Sequence, residues 1–193
     1  MKMVTQRREP RWPASIALLS VGGLRLLLPR SFSFGPNWAL LVVISILVVP
    51  IVWAHYRGHG RLNRALGHVL TSIVTADMIW SLASLILAIP THRESPQEML
   101  RSATTLWIAN ILVFASWYWR LDAGGPRERE FRGTHVDGAF LFPQMALDRE
   151  TQRVMGEDEW SPGFVDYLFL AFNVSTAFSP SDSPVFLAGR KSL

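Results

Sequence analysis

"WALLVVISILVVPIVWA" (Trp38 to Ala54) decides how this chain is read, because Ser45 is the one polar side chain among its residues. A helix on the outside of a soluble bundle shows water one polar face. A helix through this stretch has none, which points to lipid rather than water as its solvent. Its length meets the lower limit of about 17 apolar residues for a bilayer span. Pro50 falls inside it, a kink that neighbouring helices tolerate in a membrane.

Three further segments outward from it read the same way. "PASIALLSVGGLRLLLP" (Pro13 to Pro29) is short and interrupted by Arg25, with Trp12 and Arg30 placed to anchor at the two interfaces. "LGHVLTSIVTADMIWSLASLILAIP" (Leu66 to Pro90) carries Asp77 near its middle, and "LRSATTLWIANILVFASWYW" (Leu100 to Trp119) closes on a Trp-Tyr-Trp cluster of the interface-belt kind. The first segment has the basic start and apolar run of a signal peptide. Arg25 breaks the run and no small-x-small cleavage site follows, so it is expected to stay as the first span.

The 193 residues fit a single domain. The apolar fraction of 49% is ordinary for a soluble protein, so the total decides nothing; the separation of charge-free from charged stretches does. With no cysteine, disulfides, thiolate-ligated zinc, iron–sulfur clusters and thiol nucleophiles are excluded. The net charge of +4 comes from arginines placed between apolar spans, which suggests basic cytoplasmic loops and not a nucleic-acid partner.

Those arginines also give an orientation. Lys2, Arg7, Arg8 and Arg11 precede the first span; Arg57, Arg61 and Arg64 follow the second; Arg120, Arg127, Arg129, Arg132, Arg149 and Arg153 follow the fourth. The opposite side holds Arg30, Arg93 and Arg101. The N-terminus and the loop from Arg120 to about Ser161 are therefore expected in the cytoplasm. Within that loop, "AFLFPQMAL" (Ala139 to Leu147) is too short to span; it lies on the membrane surface or covers the cytoplasmic end of the bundle. A fifth apolar stretch, Phe164 to Phe178, would be about 22 Å long as a helix, short for a bilayer.

"DYLFLAFNVSTAFSPSD", with the preceding "FLFPQMAL" and four upstream spans, resembles a family of uncharacterised bacterial integral membrane proteins that carry a domain of unknown function. The resemblance is specific in residues from about Ala139 to Pro184 and implies the bacterial inner membrane, with no activity attached. The family continues through one more apolar span. Here "VFLAGRKSL" follows Pro184, so that final helix is expected to be missing. The same region faintly resembles the pore of tetrameric potassium channels, Thr-Thr-Val-Gly-Tyr-Gly-Asp. With Asp182 on the final Asp, Thr176 falls on the first Thr, Ser179 and Ser181 on the glycines and Pro180 on the Tyr, just after Ser175. Glycine lets a filter turn successive carbonyls to the ion, and serines around a rigid proline do not copy that backbone. The loop charges also put the start of this helix on the wrong side for a pore helix. The expectation is a short helix ending near Phe178 with a polar outer end.

Four polar residues stand inside the apolar segments: Arg25, Asp77, Asn110 and Asp166. A charge at membrane depth is costly and should face protein, water or a partner. Opposite signs make Arg25 and Asp77 candidates for a pair that fixes helix packing. The functional alternative is a proton or ion relay through Asp77 with Asn110, for which only Asp166 offers a second carboxylate. Small residues in span one (Ala14, Ala17, Gly22 and Gly23 among them), and Ser72 with Ala76 in span three, are expected to serve close packing within the chain. His55 and His59 have metal-ligand spacing but sit among arginines, and His135 with Asp137 is a weaker pair. No phosphate-binding Gly loop, Ser-centred elbow or spaced carboxylate pair stands out.

The reading is thus all-α: a multi-pass transmembrane helix bundle, four spans and a shorter fifth apolar helix, one integral domain. It is read as non-enzymatic, with a transport-related or scaffolding role, no cofactor, no metal, and the lipid bilayer as its partner. A pore-loop channel, which would require a homo-oligomer, and a membrane-embedded enzyme are the alternatives.

Overall fold

The computed structural model describes residues 9–91, 94–132, 138–147, 149–154 and 160–176. Over these it is all-helical, with no β-strand. Five longer helices form the bundle: α1 (Trp12–Arg25), α2 (Ala39–Tyr56), α3 (Gly60–Ala88), α4 (Pro96–Leu121) and, after two short helices, α7 (Phe164–Thr176). The short ones, α5 (Pro126–Arg132) and α6 (Arg149–Val154), belong to the segment between α4 and α7.

Local chemistry explains most of the boundaries. Proline in the first turn of α1 presets a helical φ where its missing N–H costs nothing. Beyond Arg25 the chain tightens: Leu26, Leu27 and Leu28 donate to the carbonyls of Gly23, Leu24 and Arg25. These i→i−3 bonds keep the backbone satisfied through Leu28 and extend the 14-residue helix to about 27 Å. In α2 the lone polar group is silenced locally, Ser45 Oγ donating to the Leu41 carbonyl at 2.7 Å. The helix stops at Gly58, whose φ of +76° suits glycine. His59 N–H then reaches back to the Ala54 carbonyl at 2.9 Å, closing a Schellman-type end. α4 starts with a reciprocal capping box: Glu98 N–H donates to Ser95 Oγ (3.2 Å) and Ser95 N–H to Glu98 Oε2 (3.1 Å).

α4 is the central element, packing against α1, α3 and α7. The buried residues form three groups along the bundle. Ala17, Ala115, Trp119, Phe142, Phe164 and Tyr167 lie at the end where α4 finishes and α7 begins. Leu18, Ile44, Leu70, Val74 and Val113 hold the middle. Leu28, Phe32, Leu85 and Leu106 close the far end. "AFLFPQMAL" belongs to the first group: Phe142 is buried and meets Tyr167 edge-on at 5.3 Å between ring centroids, so of its two expected positions it takes the one over the bundle end.

The apolar runs and the helices differ in extent. α3 begins at Gly60, six residues before the apolar run from Leu66, because "GRLNR" continues the helix though it is polar. α3 and α4 are long and apolar enough to cross a membrane, whereas Ala39–Ala54 and Phe164–Thr176 are shorter apolar helices. The packing role expected of small residues in span one holds at Gly22 and not at Gly23, where a Cβ would meet nothing within 4 Å. A Cβ at Gly22 would come within 3.0 Å of the Leu41 backbone, so glycine there lets α1 and α2 approach closely. It fails for span three. Ser72 and Ala76 are exposed, because α3 buries the face carrying Gly67, Leu70, Thr71, Val74, Met78, Ser81 and Leu85.

Candidate functional site

The last turn of α1 and the middle of α3 bring Arg25 and Asp77 together. Arg25 Nη1 forms an ion pair with Asp77 Oδ1, and the two side chains are 4% and 14% exposed. Arg25 Nη2 donates to the Phe34 carbonyl at 2.8 Å, so the same guanidinium ties down the turn after α1. The pair borders a small cleft, whose other polar groups come from Ser81 and Thr105 and whose walls are apolar, Val74, Met78 and Leu106 among them. Arg25 Nε and Ser81 Oγ are buried there without a hydrogen-bond partner. Each charge alone would be expensive in such surroundings, and each offsets the desolvation of the other.

The remaining sequence candidates lie elsewhere. Asn110 in α4 donates to Ser175 Oγ in α7 at 3.2 Å, a helix–helix link. Asp166 sits in the first turn of α7, where Oδ2 accepts the Gly163 N–H at 2.7 Å and caps the helix. It does not join Asp77. Thr176 turns its hydroxyl back on its own helix, donating to the Phe172 carbonyl at 2.9 Å. Ser175 and Thr176 thus sit in a regular helix. Ser179, Ser181 and Asp182 lie outside the described residues, as do His135 and Asp137. His59 stacks on Trp53 at 5.9 Å. Among the described residues no group of three or more His, Asp or Glu could hold a metal ion.

Sequence reasoning missed a second polar cluster, at the end where α4 finishes. Tyr167 OH donates to Asp122 Oδ2 at 2.6 Å, and Asp122 Oδ1 accepts the Ala139 N–H. Arg129 Nη1 donates to the carbonyls of Trp119 (3.0 Å) and Asp122 (2.8 Å). Its Nη2 donates to both oxygens of Glu9 (3.0 and 3.1 Å) and its Nε to Oε2 (3.3 Å), so all five guanidinium donors are used. Trp119 Nε1 bonds Glu9 as well. The cluster fastens the chain before α1, the end of α4, α5, the 138–147 segment and α7 to one another. In the sequence Arg129 is one more loop charge, and its partners stand 7 to 120 residues away with no shared pattern.

No family model, no curated protein and no solved structure matches this chain.

Proposed function

We propose that the chain is a multi-pass integral membrane protein of the bacterial inner membrane, with four spans and a shorter fifth apolar helix, its N-terminus in the cytoplasm. Its role on this reading is non-enzymatic: a helical scaffold held together by interior polar pairs. One observation carries the membrane reading, the apolar outside of the bundle. Large apolar side chains point outward along α2, α3 and α7: Val49 is 68% exposed, Leu87 72% and Phe169 66%. Inside, Arg25, Thr71, Ser81, Ser102, Ser116 and Asp122 are buried. Water would penalise that outside, whereas a bilayer supplies its solvent. The pairing of Arg25 with Asp77 and the closed Arg129 cluster support a structural part for the interior charges. The resemblance of the stretch from about Ala139 to Pro184 supports the bacterial inner membrane as its place.

The test is extraction. Membranes from cells expressing the chain are washed with alkaline carbonate and floated on a density gradient. The chain should stay with the lipid fraction and come off only in detergent. Release into the carbonate wash would sink the membrane reading.

A second reading, proton transfer through Asp77, draws on the cleft beside it. Proteoliposomes carrying a pH-sensitive dye inside would show uptake that Asp77→Asn abolishes. On the structural reading, the intact chain shows no uptake above empty liposomes.

A further inference from the structure

A cluster of positive charge unrelated to the interior pairs lies where α3 begins and α4 ends. Gly60, Arg64, Gly67 and His68 recur at helical spacing and so share one face of α3. The two glycines leave room for arginines: a Cβ at Gly60 would overlap the Arg127 guanidinium, and one at Gly67 would overlap that of Arg120. Arg127 Nη1 donates to the Gly58 carbonyl at 3.2 Å, and the Arg120 guanidinium lies 5.6 Å over the Trp119 ring. From the chain before α1, Arg11 Nη1 donates to Asn63 Oδ1 at 3.3 Å.

Arg11, Arg64, Arg120, Arg127 and His68 border one small open cleft, and among the described residues no acidic one lines it. Glu128, which pairs with Arg64 at 2.7 Å, does so on the surface, the two side chains being 50% and 37% exposed. Arg120 Nε is buried with no hydrogen-bond partner. Arg120 therefore keeps a buried donor that an anion in the cleft would satisfy, with the Arg11 and Arg127 side chains on the same cleft. The planar fork of arginine matches the oxygens of a phosphate group, and small neighbours let several forks converge.

We infer that this cleft binds a phosphate group. Its source is the headgroup of an anionic phospholipid or free phosphate, the recognising chemistry being the same. A lipid source rests on the membrane reading above. The guanidinium chemistry itself does not depend on that reading.

The experiment uses the purified full chain in a neutral detergent, with binding followed by native mass spectrometry and by thermal unfolding. The probes are inorganic phosphate, a short-chain phosphatidylglycerol, and phosphatidylcholine as the zwitterionic control. Saturable binding of phosphatidylglycerol alone identifies a lipid site, binding of phosphate alone a soluble ligand, and binding of both an anion site open to either. Arg120→Gln and Arg127→Gln should each weaken the binding by about tenfold or more, the effect of losing a charge-assisted hydrogen bond. Arg30→Gln, an exposed arginine at the opposite end, should leave it unchanged. Should Arg120→Gln not fold, Arg127→Gln carries the test. The inference is overturned if neither anionic probe binds more tightly than phosphatidylcholine, or if binding survives in the folded arginine variants. Phosphate binding by a chain that carbonate releases would sink the membrane reading and leave the anion site standing.

Discussion

At the residue scale, the interior of this bundle turns on two buried acids, Asp77 and Asp122, held in different ways. Asp77 depends on one arginine. Removing one partner of a buried ion pair leaves an uncompensated charge and costs about 3–5 kcal/mol, more than the pair itself contributes. Asp77→Asn and Arg25→Gln should therefore each lower the thermal stability of the detergent-purified chain sharply, while the double variant loses much less than the sum. Strict additivity in the two singles and the double would rule out the pair. Asp122 is held by several donors at once, the Tyr167 hydroxyl and the Ala139 N–H among them. Tyr167→Phe removes one of these and keeps the ring that packs on Phe142. It should cost about 1.5–3 kcal/mol, the range for a hydrogen bond to a charged group, read from chemical denaturation. A loss no larger than that of an exposed Phe169→Leu control would show that the hydroxyl is idle.

At the scale of the element, the sequence revealed the helices more readily than their ends. Apolar length located α2, α3 and α4, because burial in lipid or core demands unbroken hydrophobicity. Hydrophobicity says nothing about how far a helix continues into a polar region, which is why Gly60 to Arg64 were missed at the start of α3. The outward placing of Ser72 and Ala76 was hidden for a related reason: small residues permit close packing on any face, and only tertiary contacts choose the face. The start of α4, by contrast, is written locally in Ser95 and Glu98. The Ser95 backbone N–H and hydroxyl hold the Glu98 carboxyl below its ordinary value of 4.5. A depressed carboxyl contributes stability that is complete above that ordinary value and is lost as pH falls through the lower folded value. The stability difference between the native chain and Glu98→Ala should therefore be constant from neutral pH down to about pH 5 and shrink below pH 4. A difference that grows on acidification would contradict the capping assignment.

At the scale of the whole molecule, the Arg25–Asp77 pair was legible because each charge stood conspicuously alone in an apolar run. The Glu9–Arg129–Asp122–Tyr167 cluster was not, since its members lie in charged or aromatic surroundings where none looks out of place. Its position matters for orientation. It gathers the chain before α1, the end of α4 and the start of α7 at one end of the bundle, and the basic cleft lies where α3 begins and α4 ends. Of the arginines that the charge rule assigns to the cytoplasm, Arg11, Arg64, Arg120 and Arg127 border that one cleft and so occupy the same end in three dimensions. The turn after α1 and the α3–α4 connection occupy the other, linked by Ser31 Oγ donating to Glu94 at 2.8 Å. This arrangement can be tested in a chain that has no cysteine of its own. Single cysteines belong at Arg61, Ser161 and Ser31, all exposed. Gly60 and Gly125 are unsuitable, since a side chain would strike Arg127 at the first and the Arg120 carbonyl at the second, where φ is also +93°. An impermeant thiol reagent added to spheroplasts should label Ser31→Cys alone, and all three sites should react once the membrane is opened by detergent. Labelling of Ser161→Cys and Arg61→Cys in closed spheroplasts, with Ser31→Cys silent, would invert the orientation. Equal labelling of all three in closed spheroplasts would mean that the bundle does not separate two compartments.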